Sequence, residues 1–376
     1  MASAKKSELF DTIVIGGHLT GLIVARGLEL RGQSVALVEE SDELGGSLRP
    51  FSVNGQTMES DLALMPASEE SAELLQWLQE SLGTPVNSET IEAPPATFDS
   101  GSFKTFVGFG DRKFLSLNVL SAYNQNQLLE LAQSPSIWVE QLVAQYQGEA
   151  FTRSVLTGLE PADTGMAVTI NGAKTIFGRQ VVYCLPSRQL LDDLEIDLVP
   201  GRVRQRMAKS RLWTSVYLHL HHSKVHQQSR SLHFLYGSKD DYEPTVGRFF
   251  APRAEENSGQ CSVWMGLLPT ELADDSEQIA NTLREMKKQI KRAYSDLFED
   301  VVAEKIIVEF NSHGLVDLGL KEFGVLPDLP QMYLAHPTLW PLLPLPAALK
   351  AAKEALTWAD QSLGASAADT EGSALL

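Results

Sequence analysis

Cysteine is scarce in this chain: 376 residues include only Cys184 and Cys261. Two thiols cannot build a disulfide framework or a cysteine-rich zinc site, and their scarcity fits a reducing, cytoplasmic environment. Basic residues are also few, because 31 Lys and Arg stand against 48 Asp and Glu, which gives a net charge of −17. A chain this acidic repels phosphate backbones, so we expect no nucleic-acid partner.

Long apolar runs are missing as well. The first residues, Met1–Glu8, are polar, and the richest apolar stretch, Met332–Leu349, is interrupted by four prolines. We therefore expect no targeting segment and no transmembrane helix. The composition, 43% apolar and 21% charged, is that of a globular protein. A chain of this length exceeds one ordinary hydrophobic core, so we expect two domains.

The first forty residues predict a strand, a helix and a second strand. Phe10–Ile15 is a short β-branched run typical of a buried parallel strand. Leu19–Leu30 has apolar residues at helical spacing, and Ser34–Val38 has the pattern of another buried strand. A strand, a helix and a strand within about 30 residues form the βαβ unit found in dinucleotide-binding folds.

The turn inside this unit is compared with the phosphate-binding pattern G-x-G-x-x-G. Residues 16–21 read Gly-Gly-His-Leu-Thr-Gly, so Gly16 fits the tight turn and Gly21 fits the close packing of helix on strand. The second glycine position, where the backbone approaches a pyrophosphate, holds His18. Glu39 ends the second strand, where an acid accepts hydrogen bonds from ribose hydroxyls. The pattern predicts a Rossmann-type unit, while His18 leaves open whether the diphosphate is crowded out or receives a hydrogen bond from the imidazole.

The segment from Phe10 to Pro50 resembles the flavin-containing amine oxidase superfamily, which includes protoporphyrinogen oxidases and phytoene desaturases. In that family a Gly-Gly-Arg segment approaches the flavin diphosphate; Gly45-Gly46 match its glycines, Ser47 stands at the arginine position, and Arg49 follows two residues later. A weaker match is Lys174–Leu194, which is similar to a strand of the family that leads through a proline into a helix. The resemblance implies FAD as the cofactor, with NAD as the runner-up on the same βαβ unit.

The resemblance also implies a set of cofactor-binding residues and shows where the chain departs from the family. The candidates are Gly16, Gly17, His18, Leu19, Gly21, Glu39, Glu40, Gly46, Arg49 and His336. Three positions that face the flavin in the family differ here: His18, Asp61 in place of a glycine, and His336-Pro337 in place of a glycine followed by an acid. Proline has no N–H and its side chain accepts no hydrogen bond. No catalytic residue is identified.

A possible metal site lies in the predicted strand Ser215–His222. Tyr217, His219 and His221 share one face of this strand, and two histidines two residues apart could bind one metal ion. No third ligand has a suitable spacing. We therefore interpret the strand as a half-buried element with a polar face and predict no metal site.

Other segments are assigned from periodicity and turn residues. Leu128–Gln147 and Ser276–Leu297 have helical patterns, and Pro85–Ser102, which contains Pro94-Pro95 and Gly101, is typical of an exposed connection. Three tryptophans could line a hydrophobic substrate cavity, although such residues more often belong to a core: Trp213, Trp264 and Trp340.

Together these observations predict an α/β fold: a Rossmann-like FAD/NAD(P)-binding domain plus an inserted α+β substrate domain. The first domain comprises residues 1–60, 130–200 and 305–364, the second comprises residues 61–129 and 201–304, and residues 365–376 form a disordered tail.

Three functions stay open. The first is a flavin oxidoreductase that acts on an amine or an unsaturated hydrophobic small molecule. The second is a non-catalytic relative that has lost normal FAD binding and serves as a binding or scaffold protein. The third is an NAD-binding protein. In each case the expected partner is a small molecule.

Overall fold

The computed structural model describes residues 9–49, 51–53, 56–58, 62–83, 85–227, 229–237, 242–251 and 259–373. The strands are β1 (Leu9–Ile15), β2 (Val35–Val38), β3 (Phe51–Val53), β4 (Gln56–Met58), β5 (Ser88–Glu92), β6 (Ala96–Asp99), β7 (Ser102–Thr105), β8 (Gln127–Leu131), β9 (Glu149–Phe151), β10 (Leu156–Ala162), β11 (Gly165–Ile170), β12 (Lys174–Tyr183), β13 (Leu212–His222), β14 (His233–Leu235), β15 (Thr245–Phe249), β16 (Gln260–Pro269), β17 (Val301–Gly314), β18 (Val325–Leu326) and β19 (Leu329–Leu334). The helices are α1 (Leu19–Leu30), α2 (Glu69–Leu82), α3 (Leu117–Leu120), α4 (Pro135–Gln145), α5 (Leu190–Asp193), α6 (Gly201–Lys209), α7 (Ser276–Ala293) and α8 (Pro344–Ser373). None of the helices in the described ranges is long and apolar enough to cross a membrane.

The first sheet is built around five parallel strands in the order β9-β2-β1-β12-β19. The hairpin of β10 and β11 joins it through β12, whose first half pairs with β11 and whose last three residues pair with β19. β18 closes the sheet as an antiparallel strand on β19. Both faces are covered, which explains why β2 and the last residues of β1 and β12 read as apolar runs instead of alternating ones.

Helices cover one face of this sheet and the β10–β11 hairpin lies over the other. α1, α2, α4 and α8 contribute to one core with residues such as Leu22, Leu75, Trp138 and Leu356. The opposite core contains Ile13, Val168 and Met207 among others. The predicted strand, helix and strand of the βαβ unit are confirmed, and α1 has the predicted bounds.

The second sheet has the strand order β17-β13-β16-β15-β14-β6-β7 and is antiparallel except where β14 meets β6. α7 packs on one face, with Met286 and Ile290 against Val216 and Trp264. The other face buries a separate cluster that includes Trp213 and residues from the segment before β8, such as Phe106 and Leu120.

Every residue of β13 is buried, so the prediction of a half-buried strand is wrong. α7 covers the apolar face, with Val216 and Leu218. The face that we expected to be polar is buried as well: Tyr217 belongs to the cluster on that side, and the centroid of the His219 ring lies 5.3 Å from that of the Phe51 ring.

Some elements lie elsewhere than predicted. Residues 128–131 belong to β8, which pairs with β5, so the helix predicted from Leu128 starts only with α4. The stretch read as an exposed connection contains β5 and β6. α2 packs in the core of the first sheet although its residues were assigned to the substrate domain, and β17 belongs to the second sheet although much of it was assigned to the first domain.

The chain end also differs from the expectation. α8 continues through Ser373, so it includes most of the segment from residue 365 onwards for which disorder was predicted. Residues 374–376 lie outside the described residues. The apolar stretch Met332–Leu349 is divided among β19, a short 3₁₀ turn at Pro337–Leu339 and the start of α8.

Two glycines make the turn between β1 and α1 possible. Gly16 has φ of +101°, a backbone conformation that a side chain disfavours. Gly21 lies so close to the turn that a Cβ atom there would be 1.8 Å from the Gly16 carbonyl oxygen. Only glycine at position 21 lets helix α1 pack this tightly over the end of β1.

This contact predicts that Gly21→Ala destabilises the fold, even though alanine has the higher helix propensity. We expect a loss of more than about 3 kcal/mol in unfolding free energy, because the new methyl group collides with backbone that cannot move aside. Urea unfolding of purified protein measures this change.

Gly201→Ala is the matched control, since the nearest atom to a Cβ there is 3.8 Å away, in the flexible side chain of Arg204. We expect its unfolding free energy to stay within about 0.5 kcal/mol of the parent protein. Equal stabilities of the two variants would contradict the close-contact assignment.

Candidate functional site

The carboxyl ends of β1, β2, β12 and β19 meet at one edge of the first sheet, which we call the carboxyl edge. Hydrogen bonds just beyond the strands hold the ends together: Gly16 N–H donates to the Val38 carbonyl oxygen at 2.8 Å, and Ala335 N–H to that of Tyr183 at 2.8 Å. This alignment brings together residues from distant parts of the sequence. In open α/β sheets, ligands bind outside such strand ends.

Glu39 lies at the predicted place and is 8% exposed. Its carboxylate accepts hydrogen bonds from Gly17 N–H at 2.7 Å and from Ser41 N–H at 2.8 Å, and the Ser41 hydroxyl also donates to it. The side chain therefore ties the end of β2 to the turn after β1. Each carboxylate oxygen can accept more than one hydrogen bond, so lone pairs remain for a ligand.

His18 begins helix α1, but its side chain makes no capping hydrogen bond to the helix. Its Nε2 atom donates to the Cys184 carbonyl oxygen at 2.6 Å, because a carbonyl can only accept. Removal of water from around the ring lowers the pKa of His18 below its ordinary value, against the opposing influence of that hydrogen bond and of Glu39. The imidazole is therefore neutral and fixed over the end of β12.

His336 comes to the same edge from the end of β19 and is 9% exposed. Thr338 N–H donates to its Nδ1 atom at 3.3 Å, so His336 caps the 3₁₀ turn Pro337–Leu339. Burial, together with the smaller influence of the neighbouring His18, lowers the pKa of His336 to about 3. The two rings meet edge to face, with their centroids 6.1 Å apart and their planes at 82°.

The two imidazoles do not fit a dinucleotide held in the usual way. In G-x-G-x-x-G loops the second glycine leaves the backbone open to the pyrophosphate, whereas here the ring of His18 stands at that position and is held by Cys184 and His336. Burial lowers the pKa of both rings, so neither supplies a fixed positive charge at this edge. Gly16, Gly21 and Glu39 of the dinucleotide-binding pattern are retained, but the ring of His18 fills the space where a pyrophosphate would approach the backbone.

The other candidate residues are placed less centrally. Gly17 and Leu19 lie in the buried turn, and Gly46 approaches it so closely that a Cβ there would be 3.0 Å from the His18 Cβ. Glu40 is exposed, and Arg49 is exposed and forms an ion pair with Glu43. Asp61, named as a departure from the family, lies outside the described residues.

Ser47, at the arginine position of the family, is bonded to the second sheet. Its hydroxyl donates to the Glu309 carboxylate on β17 at 2.7 Å. Burial raises the pKa of Glu309 above its ordinary value, and the Ser47 hydrogen bond opposes this. The loop that approaches the flavin in the family therefore joins the two sheets here.

The histidines of β13, which we considered as metal ligands, are buried in the second sheet. Tyr217, His219 and His221 share one face as predicted, and His221 Nδ1 lies 3.8 Å from the Cys261 sulfur. No group of three or more metal-binding side chains occurs among the residues that the structure describes.

A cavity of about 390 Å³, which we call the interdomain cavity, lies beside the carboxyl edge. Its walls come from the start of β13, the end of β17, the turn Pro337–Leu339 and the start of α8. Trp213 and Trp340 line it, as the sequence suggested, whereas Trp264 is buried under α7. The turn capped by His336 is therefore one wall of this cavity.

His313 is the centre of a hydrogen-bond network in the cavity wall. Its Nε2 atom meets the Tyr123 hydroxyl, and its Nδ1 atom lies 2.9 Å from the hydroxyls of both Ser215 and Ser312. Burial lowers the pKa of His313 to about 3, so the ring is neutral. Sequence reasoning missed His313 and Tyr123, because no local motif surrounds either residue.

The low pKa of His336 makes stability depend on pH in a defined direction. Between its folded pKa, about 3, and its ordinary value of 6.5, the unfolded chain binds more protons than the folded one. The stabilisation is therefore complete above pH 6.5 and is lost as the pH falls towards 3. We expect His336→Asn, which can still accept from Thr338 N–H, to reduce the slope of unfolding free energy against pH. The reduction should reach about 1.4 kcal/mol per pH unit, measured by urea unfolding at several pH values.

Thr338→Val serves as the control, because it removes the hydroxyl partner of His336 and leaves the imidazole in place. Its slope should match that of the parent protein. An unchanged slope in His336→Asn would contradict the assignment of a buried neutral ring.

Comparison with known proteins agrees with this architecture. Residues 14–81 match the family model of the NAD(P)-binding Rossmann-like domain. No curated protein matches the sequence significantly. Solved structures match nearly the whole chain at low sequence identity. Putrescine oxidase bound to putrescine is 11% identical with a TM-score of 0.64, and the match covers 96% of this chain and 100% of that one.

Two further structures give the same result. Cyclohexylamine oxidase from Brevibacterium oxydans IH-35A is 11% identical with a TM-score of 0.64, covering 94% of this chain and 99% of that one. A protein from Exiguobacterium sp. 255-15 described as a protoporphyrinogen oxidase is 13% identical with a TM-score of 0.64 and the same coverage. The chain is therefore similar in fold to oxidoreductases of the amine oxidase superfamily along nearly its whole length, with a Rossmann-like NAD(P)-binding domain at its start.

Proposed function

We propose that this protein is a relative of the amine oxidases that does not use a flavin and that binds a small molecule in the interdomain cavity. The observation that carries the proposal is the contact between His18 and His336, whose rings stand where an open glycine backbone would meet a pyrophosphate. On this proposal, the strand ends at the carboxyl edge position the turn Pro337–Leu339, which forms one wall of the cavity.

Three further observations support this proposal. Pro337 follows His336 where the family has an acid, so neither residue supplies a carboxylate at the flavin. α8 begins at Pro344 and carries Pro346 in its first turn, so two backbone N–H groups that could point at a ligand are missing. Ser47 contacts Glu309 in the place where the family's arginine would stand.

A second candidate function is a flavin- or NAD-dependent oxidoreductase. It is favoured by the start of helix α1, where Leu19, Thr20 and Gly21 are buried and no side chain caps their N–H groups. Uncapped N–H groups at a helix start bind anions such as phosphate. On this alternative the imidazole of His18 moves aside when the dinucleotide enters.

Cofactor retention distinguishes the two functions. The purified protein is incubated with excess FAD, passed through gel filtration and examined by visible absorption. We expect no retained flavin, and no thermal stabilisation by NAD. Retention of FAD near one equivalent, or clear stabilisation by NAD, would overturn the proposal in favour of the second candidate.

Substitutions at His18 and His336 test whether these two side chains are what prevents FAD from binding. We expect His18→Gly alone to retain no FAD, because His336-Pro337 still differs from the family. The double variant His18→Gly and His336→Gly should bind FAD more tightly than either single variant, measured by flavin fluorescence quenching. Tight binding by His18→Gly alone would show that one side chain, not the whole edge, prevents cofactor entry.

A further inference from the structure

The interdomain cavity has a chemical character that goes beyond its shape. Its volume of about 390 Å³ is within the range of small-molecule sites. Trp213, Trp340 and Leu343 are 2%, 8% and 4% exposed and form apolar walls. Leu115 and Leu315 at the rim are 58% and 48% exposed. Apolar side chains at both the walls and the rim favour a ligand with an apolar body.

Charge in the cavity is of one sign. Arg211, just before β13, is exposed and is the one charged residue among the lining residues, all of which lie in the described part of the chain. His313 adds no charge because its ring is neutral. This is unexpected in a chain with a net charge of −17.

The charge distribution disfavours a cationic ligand. An ammonium group in the cavity would meet no carboxylate, and Arg211 would repel it. Bringing an unpaired ammonium into an apolar site also costs its hydration free energy. The amines named for the similar solved structures therefore do not suit this cavity.

A ligand with a carboxylate would be attracted by the charge of Arg211 instead of being repelled by it. The guanidinium group of arginine matches a carboxylate with two parallel hydrogen bonds and remains charged at all relevant pH values. Ser312 and Thr338 also line the cavity, but their hydroxyls are already bonded to His313 and His336, so Arg211 is the group left to bind a carboxylate. The apolar part of such a molecule would then lie against Trp213 and Trp340.

We propose that the interdomain cavity binds an apolar carboxylic acid, with the carboxylate on Arg211 and the apolar chain against the two tryptophans. This inference rests on the proposed function, because it assigns a ligand class to the same cavity. It concerns a site that contains neither His18 nor Glu39, so it can be tested independently of FAD.

Three probes of equal chain length and different charge test the inference: decanoate, decanol and decylamine. Each is titrated below its aggregation concentration into the full-length protein, and binding is followed by tryptophan fluorescence, since two tryptophans line the cavity. We expect saturable binding of decanoate about tenfold tighter than that of decylamine, with decanol between them. Absence of saturable decanoate binding, or tighter binding of decylamine, would overturn the inference.

Variants locate the binding site. Arg211→Gln should abolish the preference for decanoate over decylamine and leave decanol binding unchanged. Arg202→Gln, at an exposed arginine of α6 that does not line the cavity, is the matched control and should keep the preference. Ala122→Phe, which places a ring in the cavity, should weaken all three probes while thermal unfolding confirms that the variant is folded.

Failure of this inference is distinguishable from failure of the proposed function. Persistence of the decanoate preference in Arg211→Gln, or unchanged binding in folded Ala122→Phe, would overturn the carboxylate assignment alone. Tight binding of decanol or decylamine in place of decanoate would also overturn it and leave a flavin-free binding protein with another ligand. Retention of FAD by the parent protein would overturn the proposed function whatever the three probes do.

Discussion

The parallel alignment of β2, β1, β12 and β19 is the constraint on which the rest of the structure depends. Because these strands run in the same direction, their carboxyl ends lie at one edge, and Gly16, Glu39, Cys184 and His336 meet there. The close contact between Gly16 and Gly21 then sets how near α1 lies to that edge. These backbone contacts produce the turn geometry of a dinucleotide-binding fold, and they do not depend on which side chain stands at position 18.

Two neutral imidazoles lie at the carboxyl edge, and they connect it to the interdomain cavity. His18 is bonded to the end of β12, while His336 caps the turn that carries Thr338 into the cavity wall. A neutral imidazole costs far less free energy to remove from water than a charged one. Beside the edge, the charged residue that lines the cavity is the exposed Arg211.

Much of the first domain was predictable from sequence. The βαβ unit follows from local periodicity, and the positions of Gly16 and Gly21 in the turn and of Glu39 after the second strand follow from their spacing. Their role in binding a cofactor stays a prediction. The burial of β13 was not predictable, because its alternating polar residues are covered by packing against other elements instead of meeting solvent. Residues 128–131 have a helical pattern but pair with β5, where tertiary contacts override local propensity.

The sequence by itself determined that this chain has a Rossmann-like domain and that its cofactor loop departs from the usual pattern at position 18. Only the tertiary structure showed which groups the side chain of His18 contacts. The partner of His18 is a carbonyl 166 residues away, and two of the partners of His313, Ser215 and Tyr123, are 98 and 190 residues away. Local patterns report which face of an element is apolar, whereas contacts across such separations are set by strand register and domain packing.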